Sequence, residues 1–330
     1  MTVRFGVLGA GRIGKVHARA VSSNPDAKLV AVADAFADAA NALAAQYGAE
    51  VRSISQIEAA DDIDAVVICT PTDTHADLIE RFSRAGKAIF CEKPVDLDVE
   101  RVEACLDVVE ETGAKLMVGF NRRFDPHFMA VRQAIADGRI GDVEMVTITS
   151  RDPGAPPIDY IKRSGGIFRD MTIHDFDMAR FLLGEEVASV SAHAAVLVDP
   201  EIGEAGDYDS ASVILETASG KQAIISNSRR ATYGYDQRIE VHGSKGVVSA
   251  ENQRAVSIEI ANGDGYTRPP LHDFFMTRYT EAYANEIAAF ISAIEKGTPI
   301  SPSGADGLVA LQLADAAVES VRTGKRVSVD

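Results

Sequence analysis

The sequence predicts an α/β protein of two domains: a doubly wound parallel sheet over residues 1–120 and an α+β domain over residues 121–330. Three observations carry this. Short apolar runs at 4–8, 29–33, 65–69, 88–91 and 115–120 are nearly continuous in Val, Ile, Ala and Phe, the pattern of strands buried on both faces. Helix-like segments at 15–23, 37–47, 76–84 and 99–111 lie between them, and Gly48, Gly86 and Gly113 supply stops. After Phe120 the texture changes to longer alternating strands.

Repeated strand–helix–strand order in the first domain means parallel strands joined by right-handed crossovers. The second domain opens with a helix at 126–137 and a strand at 143–150. A proline-rich loop at 152–157 and a helix at 171–183 follow. Strands are then expected at 189–198, 210–217, 222–228, 237–242 and 256–260, with helices at 283–296 and 304–323 closing the chain.

Composition narrows the function. Lys plus Arg number 33 against 49 Asp plus Glu, a formal charge of −16, which opposes bulk binding to nucleic acid or an anionic membrane. The three cysteines, Cys69, Cys91 and Cys105, form no CxxC pair and read as reduced thiols of a cytoplasmic protein. Neither a secretory leader nor a membrane span is expected.

Residues 9–14 read Gly-Ala-Gly-Arg-Ile-Gly, directly after one strand and opening a helix. The first glycine permits a tight turn, the second lets a phosphate approach the backbone, and the third lets helix and strand pack closely. The next strand ends in Asp34, whose carboxylate suits the two hydroxyls of an adenosine ribose and repels a 2′-phosphate. Ala35 follows where an arginine could have neutralised one. The cofactor expected is therefore NAD rather than NADP. Two further strand ends should line the same crevice: Thr70, Pro71 and His75 after one, Glu92, Lys93 and Pro94 after another.

Lys93 precedes a proline, which restricts it to extended conformations that can aim its ammonium into the crevice. From this motif alone a surface lysine before a turn is the favoured reading. Asp170 and His174 are four apart, so on a helix they share a face, and a carboxylate there can orient an imidazole that takes a proton. A plain ion pair fits the same spacing. A metal would need a third ligand, and none stands at suitable spacing. Asp175 and Asp177 fall on other faces and read as solvent or cap residues.

Taken together, these residues resemble the Gfo/Idh/MocA family of oxidoreductases over essentially the whole chain. The resemblance rests on the glycine loop, on Thr70, Pro71 and His75, on Glu92-Lys93-Pro94, on residues 119–125 (Gly-Phe-Asn-Arg-Arg-Phe-Asp), and on Gly166, Asp170 and His174. It implies a Rossmann domain and a second domain with a large open, mostly antiparallel sheet that serves as the interface of a homo-oligomer, a tetramer. It implies a catalytic set of Lys93, Asp170 and His174. Cofactor contacts are implied at Gly9, Gly11, Arg12, Ile13, Gly14, Asp34, Thr70, Pro71, His75, Glu92 and Lys93. Residues 122–125, the Asp170/His174 spacing, and Tyr-Gly-Tyr-Asp at 233–236 ahead of Ile-Glu-Val-His-Gly at 239–243 point within the family to oxidation of a cyclic polyol, myo-inositol to its 2-keto form. Polyol contacts are expected from Lys93, Arg123, Asp152, Asp170, His174 and Tyr235, with His272 a further candidate. The alternatives are a scyllo-inositol or pyranose dehydrogenase with the same catalytic set, and a dinucleotide-binding regulator without turnover. The regulator is disfavoured by the presence of both the lysine and the histidine.

Overall fold

A computed structural model describes residues 2–329. They fall into two compact units: the chain through Phe124 together with Thr280–Leu311, and Asp125–Tyr279 together with the chain from Gln312 onward.

The first unit holds a parallel sheet of β1 (Val3–Leu8), β2 (Ala27–Ala33), β3 (Glu50–Val51), β4 (Ala65–Ile68), β5 (Ala88–Cys91) and β6 (Leu116–Val118), in the order β3-β2-β1-β4-β5-β6. This is the doubly wound order of dinucleotide-binding folds. Phe5, Val7, Leu8 and all of β4 are buried, as a sheet covered on both faces requires. The crossovers are α1 (Arg12–Ser23), α2 (Ala37–Tyr47), α3 (Ile54–Glu58), α4 (His75–Arg84) and α5 (Val99–Thr112). β3 and α3 were not expected; both are too short to show a period.

Helix Thr280–Lys296 belongs to this unit, although the expected division placed it in the second domain. Its Ile287, Phe290 and Ile291 join the core cluster that contains Phe5, Val7 and Phe90. The Phe290 ring stands 6.3 Å from that of Phe5 and 5.9 Å from that of Phe90. Without the helix, that part of the sheet would expose aromatic surface to water.

The second unit holds β7 (Val143–Arg151), β8 (Val187–Ala195), β9 (Ser210–Thr217), β10 (Gln222–Ser228), β11 (Asp236–Gly243), β12 (Gly246–Ala250), a separate hairpin of β13 (Ile260–Asn262) and β14 (Gly265–Thr267), and β15 (Val327–Ser328). Seven of these form one sheet in the order β12-β11-β7-β10-β9-β8-β15. Every pairing in it is antiparallel except that of β7 with β10, which gives the mixed, mostly antiparallel class expected. Along β9, Ala211, Val213 and Leu215 are buried while Ser212 and Ile214 are exposed, so one face is covered and the other is open. The strand expected at 256–260 does not form. Val256 and Ile258 alternate as a strand would, but both are exposed, and pairing begins only at Ile260.

Helix Ile173–Leu183 lies against β7 and β10. Asp175 and Asp177, expected at the surface, are buried at 0% and 1% exposure. Asp175 accepts from Ser150 Oγ at 2.6 Å and Asn227 Nδ2 at 2.8 Å, so it stitches the helix to both strands. A carboxylate with such donors can be buried at tolerable cost. Among the described residues no helix is long and apolar enough to cross a membrane.

Phe290 is fully buried, and its removal leaves a cavity in the first unit's core. Phe290→Ala should lower unfolding free energy by about 3–5 kcal/mol in a denaturant titration.

Candidate functional site

In the first unit the strand order turns between β1 and β4. The loops beyond their carboxyl ends meet there. Gly9 adopts φ +98°, and a Cβ on it would lie 2.6 Å from the Cys69 carbonyl oxygen. A Cβ on Gly14 would lie 1.9 Å from the Gly9 carbonyl oxygen. Both positions therefore exclude any other residue, and α1 starts hard against β1. Gly11 differs: an added Cβ would meet nothing within 4 Å. It is the N-cap of α1 and supplies no side-chain cap, so the first-turn N–H groups have no side-chain acceptor from that position. An uncapped helix start beside open space suits a pyrophosphate.

Asp34 ends the next strand. Its Oδ2 accepts from Ala10 N at 2.5 Å and its Oδ1 from Phe36 N at 2.7 Å, which orients the carboxylate and leaves lone pairs for ribose hydroxyls. Phe36 was not singled out from the sequence. It is 78% exposed at the N-cap of α2, where a polar residue is usual, and offers a flat apolar surface beside Asp34. Arg12 is exposed at the start of α1, and Ile13 packs on the core.

Thr70, Pro71 and His75 follow β4. Thr70 Oγ1 and Thr74 Oγ1 are 2.6 Å apart. His75 is 2% exposed, with Nδ1 2.8 Å from the Pro94 carbonyl and Nε2 2.8 Å from the Thr70 carbonyl. It ties the loop after β4 to the loop after β5. Lys93 is half-buried in that second loop, joined to Pro94 by a cis peptide bond. The Glu92 carboxylate turns inward, 2.6 Å from His17 Nε2. Arg123 is buried, with its guanidinium 2.9 Å from Asp306 Oδ1 and 3.3 Å from Ser301 Oγ.

Asp170 and His174 belong to the second unit. The expected helix divides there: Phe168–Thr172 is a π-helical turn, and the α-helix begins at Ile173. The four-residue spacing of Asp170 and His174 thus crosses a π-to-α junction, a local widening that recurs at functional sites. Asp170 accepts from Tyr160 Oη at 2.8 Å and from the Arg229 guanidinium at 3.3 and 3.4 Å. Arg229 is 1% exposed and lies 3.6 Å from Asp207 as well. Asp207 in turn accepts from Ile167 N at 2.9 Å. Tyr160 and Arg229 were missed in the sequence, where neither carries a motif. Tyr160 sits on the short helix Ile158–Ile161 delivered by the proline-rich loop.

Among the expected polyol contacts, Asp152 is half-buried at the mouth of that loop, and its N–H donates to the Ser228 carbonyl at 2.9 Å. Tyr235 is 5% exposed, edge-on to the Tyr279 ring at 5.9 Å, and its N–H donates to the His272 carbonyl. Burial, and after it the Arg278 guanidinium, lower the His272 imidazole below its ordinary pKa.

Comparison with known proteins agrees with this geometry. Residues 3–120 match the model of an oxidoreductase family with an NAD-binding Rossmann fold, and residues 128–249 match the GFO/IDH/MocA C-terminal domain. The chain is 82% identical to inositol 2-dehydrogenase of Rhizobium meliloti, covering 100% of both chains. It is 43% identical to myo-inositol 2-dehydrogenase of Thermotoga maritima, covering 99% of both. The crystal structure of scyllo-inositol dehydrogenase from Lactobacillus casei, with bound NAD(H) and scyllo-inositol, superposes with a TM-score of 0.93 at 30% identity, covering 99% of both chains.

Arg229→Met would leave Asp170 and Asp207 largely buried without their cation. It should destabilise the protein by about 3–5 kcal/mol, read by denaturant titration.

Proposed function

Because the chain belongs to the Gfo/Idh/MocA family of oxidoreductases, we propose that it oxidises the C2 hydroxyl of myo-inositol to a ketone with NAD, the first step of inositol breakdown. The observation that carries this reading is the 82% identity to an inositol 2-dehydrogenase along the whole chain. The residues present fit the cofactor. The open N-cap at Gly11 would receive the pyrophosphate, Asp34 the adenosine ribose, and the Phe36 ring one face of the adenine. NAD, when bound, supplies the hydride acceptor at nicotinamide C4.

The chain's own groups handle the proton and the developing charge. His174 is the general base for the substrate hydroxyl. Asp170, itself held by Tyr160 and Arg229, orients the imidazole and balances the charge it gains. Lys93 hydrogen-bonds the reacting oxygen and stabilises it as negative charge develops. Tyr235 and Asp152 are the proposed contacts to the other ring hydroxyls. The Arg123 ion pair with Asp306 supports a role for its guanidinium in holding the loop that carries it. Scyllo-inositol is the second reading, favoured by the likeness to the Lactobacillus casei enzyme. The three free, buried cysteines suit the cytoplasm as the place of action.

The open face of the large sheet carries Met145, Ile214, Ile224 and Val247, each more than a third exposed. That row supports assembly through this face into a homotetramer.

A panel of inositols and pyranoses, followed by NADH absorbance, tests the substrate; turnover of none of them overturns this reading. His174→Ala and Lys93→Ala should each lower kcat by about a hundredfold or more with NADH affinity nearly unchanged. NAD should give the higher kcat/KM, and a preference for NADP would overturn the role given to Asp34. Light scattering should give a mass of about four chains, and Ile214→Lys combined with Ile224→Lys should reduce it.

A further inference from the structure

The first unit buries a group of ionisable side chains that the proposed mechanism does not use. His17 on α1 is fully buried, with Nε2 2.6 Å from Glu92 Oε1. On the other side of the ring, Nδ1 faces Glu286 Oε1 at 4.0 Å. Glu286 comes from helix Thr280–Lys296, is fully buried, and neither of its oxygens has a hydrogen-bond partner among the described residues. The imidazole is clamped between the rings of Phe90 at 4.9 Å and Tyr283 at 5.6 Å. The Cys69 and Cys91 thiols also lie within electrostatic reach of Glu92. Burial raises both well above their ordinary values, with Glu92 adding to the effect, so they bring no charge of their own.

One imidazole and two carboxylates can suggest a metal site. Here the two carboxylates face different ring nitrogens. One atom from each residue lies within 4.8 Å of the other two, but Nε2 and Glu92 Oε1 at 2.6 Å are at hydrogen-bond distance, too close to bracket an ion. Protons suit the arrangement, since each ring nitrogen can carry one. Burial, with the Glu92 charge second, pushes the Glu286 carboxyl well above its ordinary range and favours its neutral acid form. That leaves Glu92, at 2.6 Å, as the group that His17 holds.

Glu92 is joined directly to Lys93. Its carboxylate lies where a Cβ on residue 119 would approach within 3.2 Å, so glycine at 119 leaves the room it occupies. The Glu92-Lys93-Pro94 segment is thus held at one end through the Glu92 side chain on His17 and at the other by His75 on the Pro94 carbonyl. We infer that His17 is a positioning residue: through its bond to Glu92 it fixes the Lys93 ammonium where the reacting oxygen must lie. The inference rests on the role proposed above for Lys93. Misplacement of a catalytic group by about 1 Å can cost about a hundredfold in rate.

The test compares His17→Phe, which keeps the ring packing and removes both nitrogens, with His17→Gln, whose amide can still donate to Glu92. Enzyme is counted by titrated NADH-binding sites, so unfolded chains do not contribute. Expected are a fall in kcat of about tenfold or more for His17→Phe, NADH affinity within about threefold of wild type, and recovery of most of the loss in His17→Gln. A packing role alone would lower Tm and leave kcat per binding site unchanged. The inference is overturned if His17→Phe keeps kcat within about threefold, or if both variants lose kcat equally. If His17→Phe does not fold, His17→Met takes its place, since methionine packs adaptably and donates no hydrogen bond. Lys93→Ala is run beside them. If it keeps kcat, the role of Lys93 fails first; if it loses kcat while His17→Phe does not, the positioning role of His17 alone is overturned.

Discussion

Between β1 and β4 the parallel sheet reverses the direction in which strands are added, and the chemistry of the first unit depends on that reversal. Parallel strands deliver all their carboxyl ends to one edge, and crossovers on opposite faces part company where the order turns. The gap is narrow because Gly14 packs on the Gly9 carbonyl and Gly9 on the Cys69 carbonyl. Asp34 then arrives from β2 close enough to accept from Ala10, and Lys93 arrives from β5 in a loop tied by His75 to the loop after β4. A side chain at Gly9 or Gly14 would push these loops apart before it touched any ligand.

How much of this was legible follows from what each pattern encodes. Buried parallel strands must be apolar on both faces, so β1, β2, β4, β5 and β6 show in the letters alone. The glycine loop shows because close approach of backbones admits one residue type. Helix Gly304–Thr323 shows through its length and period. Periodicity states that a helix has an apolar face but not which core receives it, so the return of Thr280–Lys296 to the first unit was hidden. Acidic residues are mostly exposed, yet Ser150 and Asn227, distant in sequence, supply the donors that let Asp175 sink. A π-turn keeps the same letters at the same spacing as an α-turn, so the junction ahead of Ile173 left no trace. The partners of Asp170 were hidden for a similar reason, since Tyr160 and Arg229 reach it from separate segments.

Buried polar pairs recur beside the proposed chemistry and at the root of the second unit. His17 holds Glu92, and Arg229 lies between Asp170 and Asp207. Arg278 holds Asp125, whose other contacts cap helix Pro126–Ala136 through His127 N and Phe128 N. Such pairs contribute little net stability, because desolvation offsets most of the attraction. Their effect is directional. A carboxylate committed to fixed donors holds its chain segment in one place, whereas an apolar contact of equal strength tolerates sliding.

The residues proposed for the two kinds of recognition also fall largely on different units. The dinucleotide loops and Lys93 are in the first, while Asp170, His174, Asp152 and Tyr235 are in the second. A dinucleotide presents the same phosphates and ribose whatever the substrate, so its cradle is constrained by backbone approach and admits few changes. A polyol is read through the positions of its hydroxyls, and those contacts can change one side chain at a time. Preference among inositol stereoisomers is therefore expected to reside in second-unit side chains, and least of all in the glycine loop, whose geometry is set by contacts between main chains.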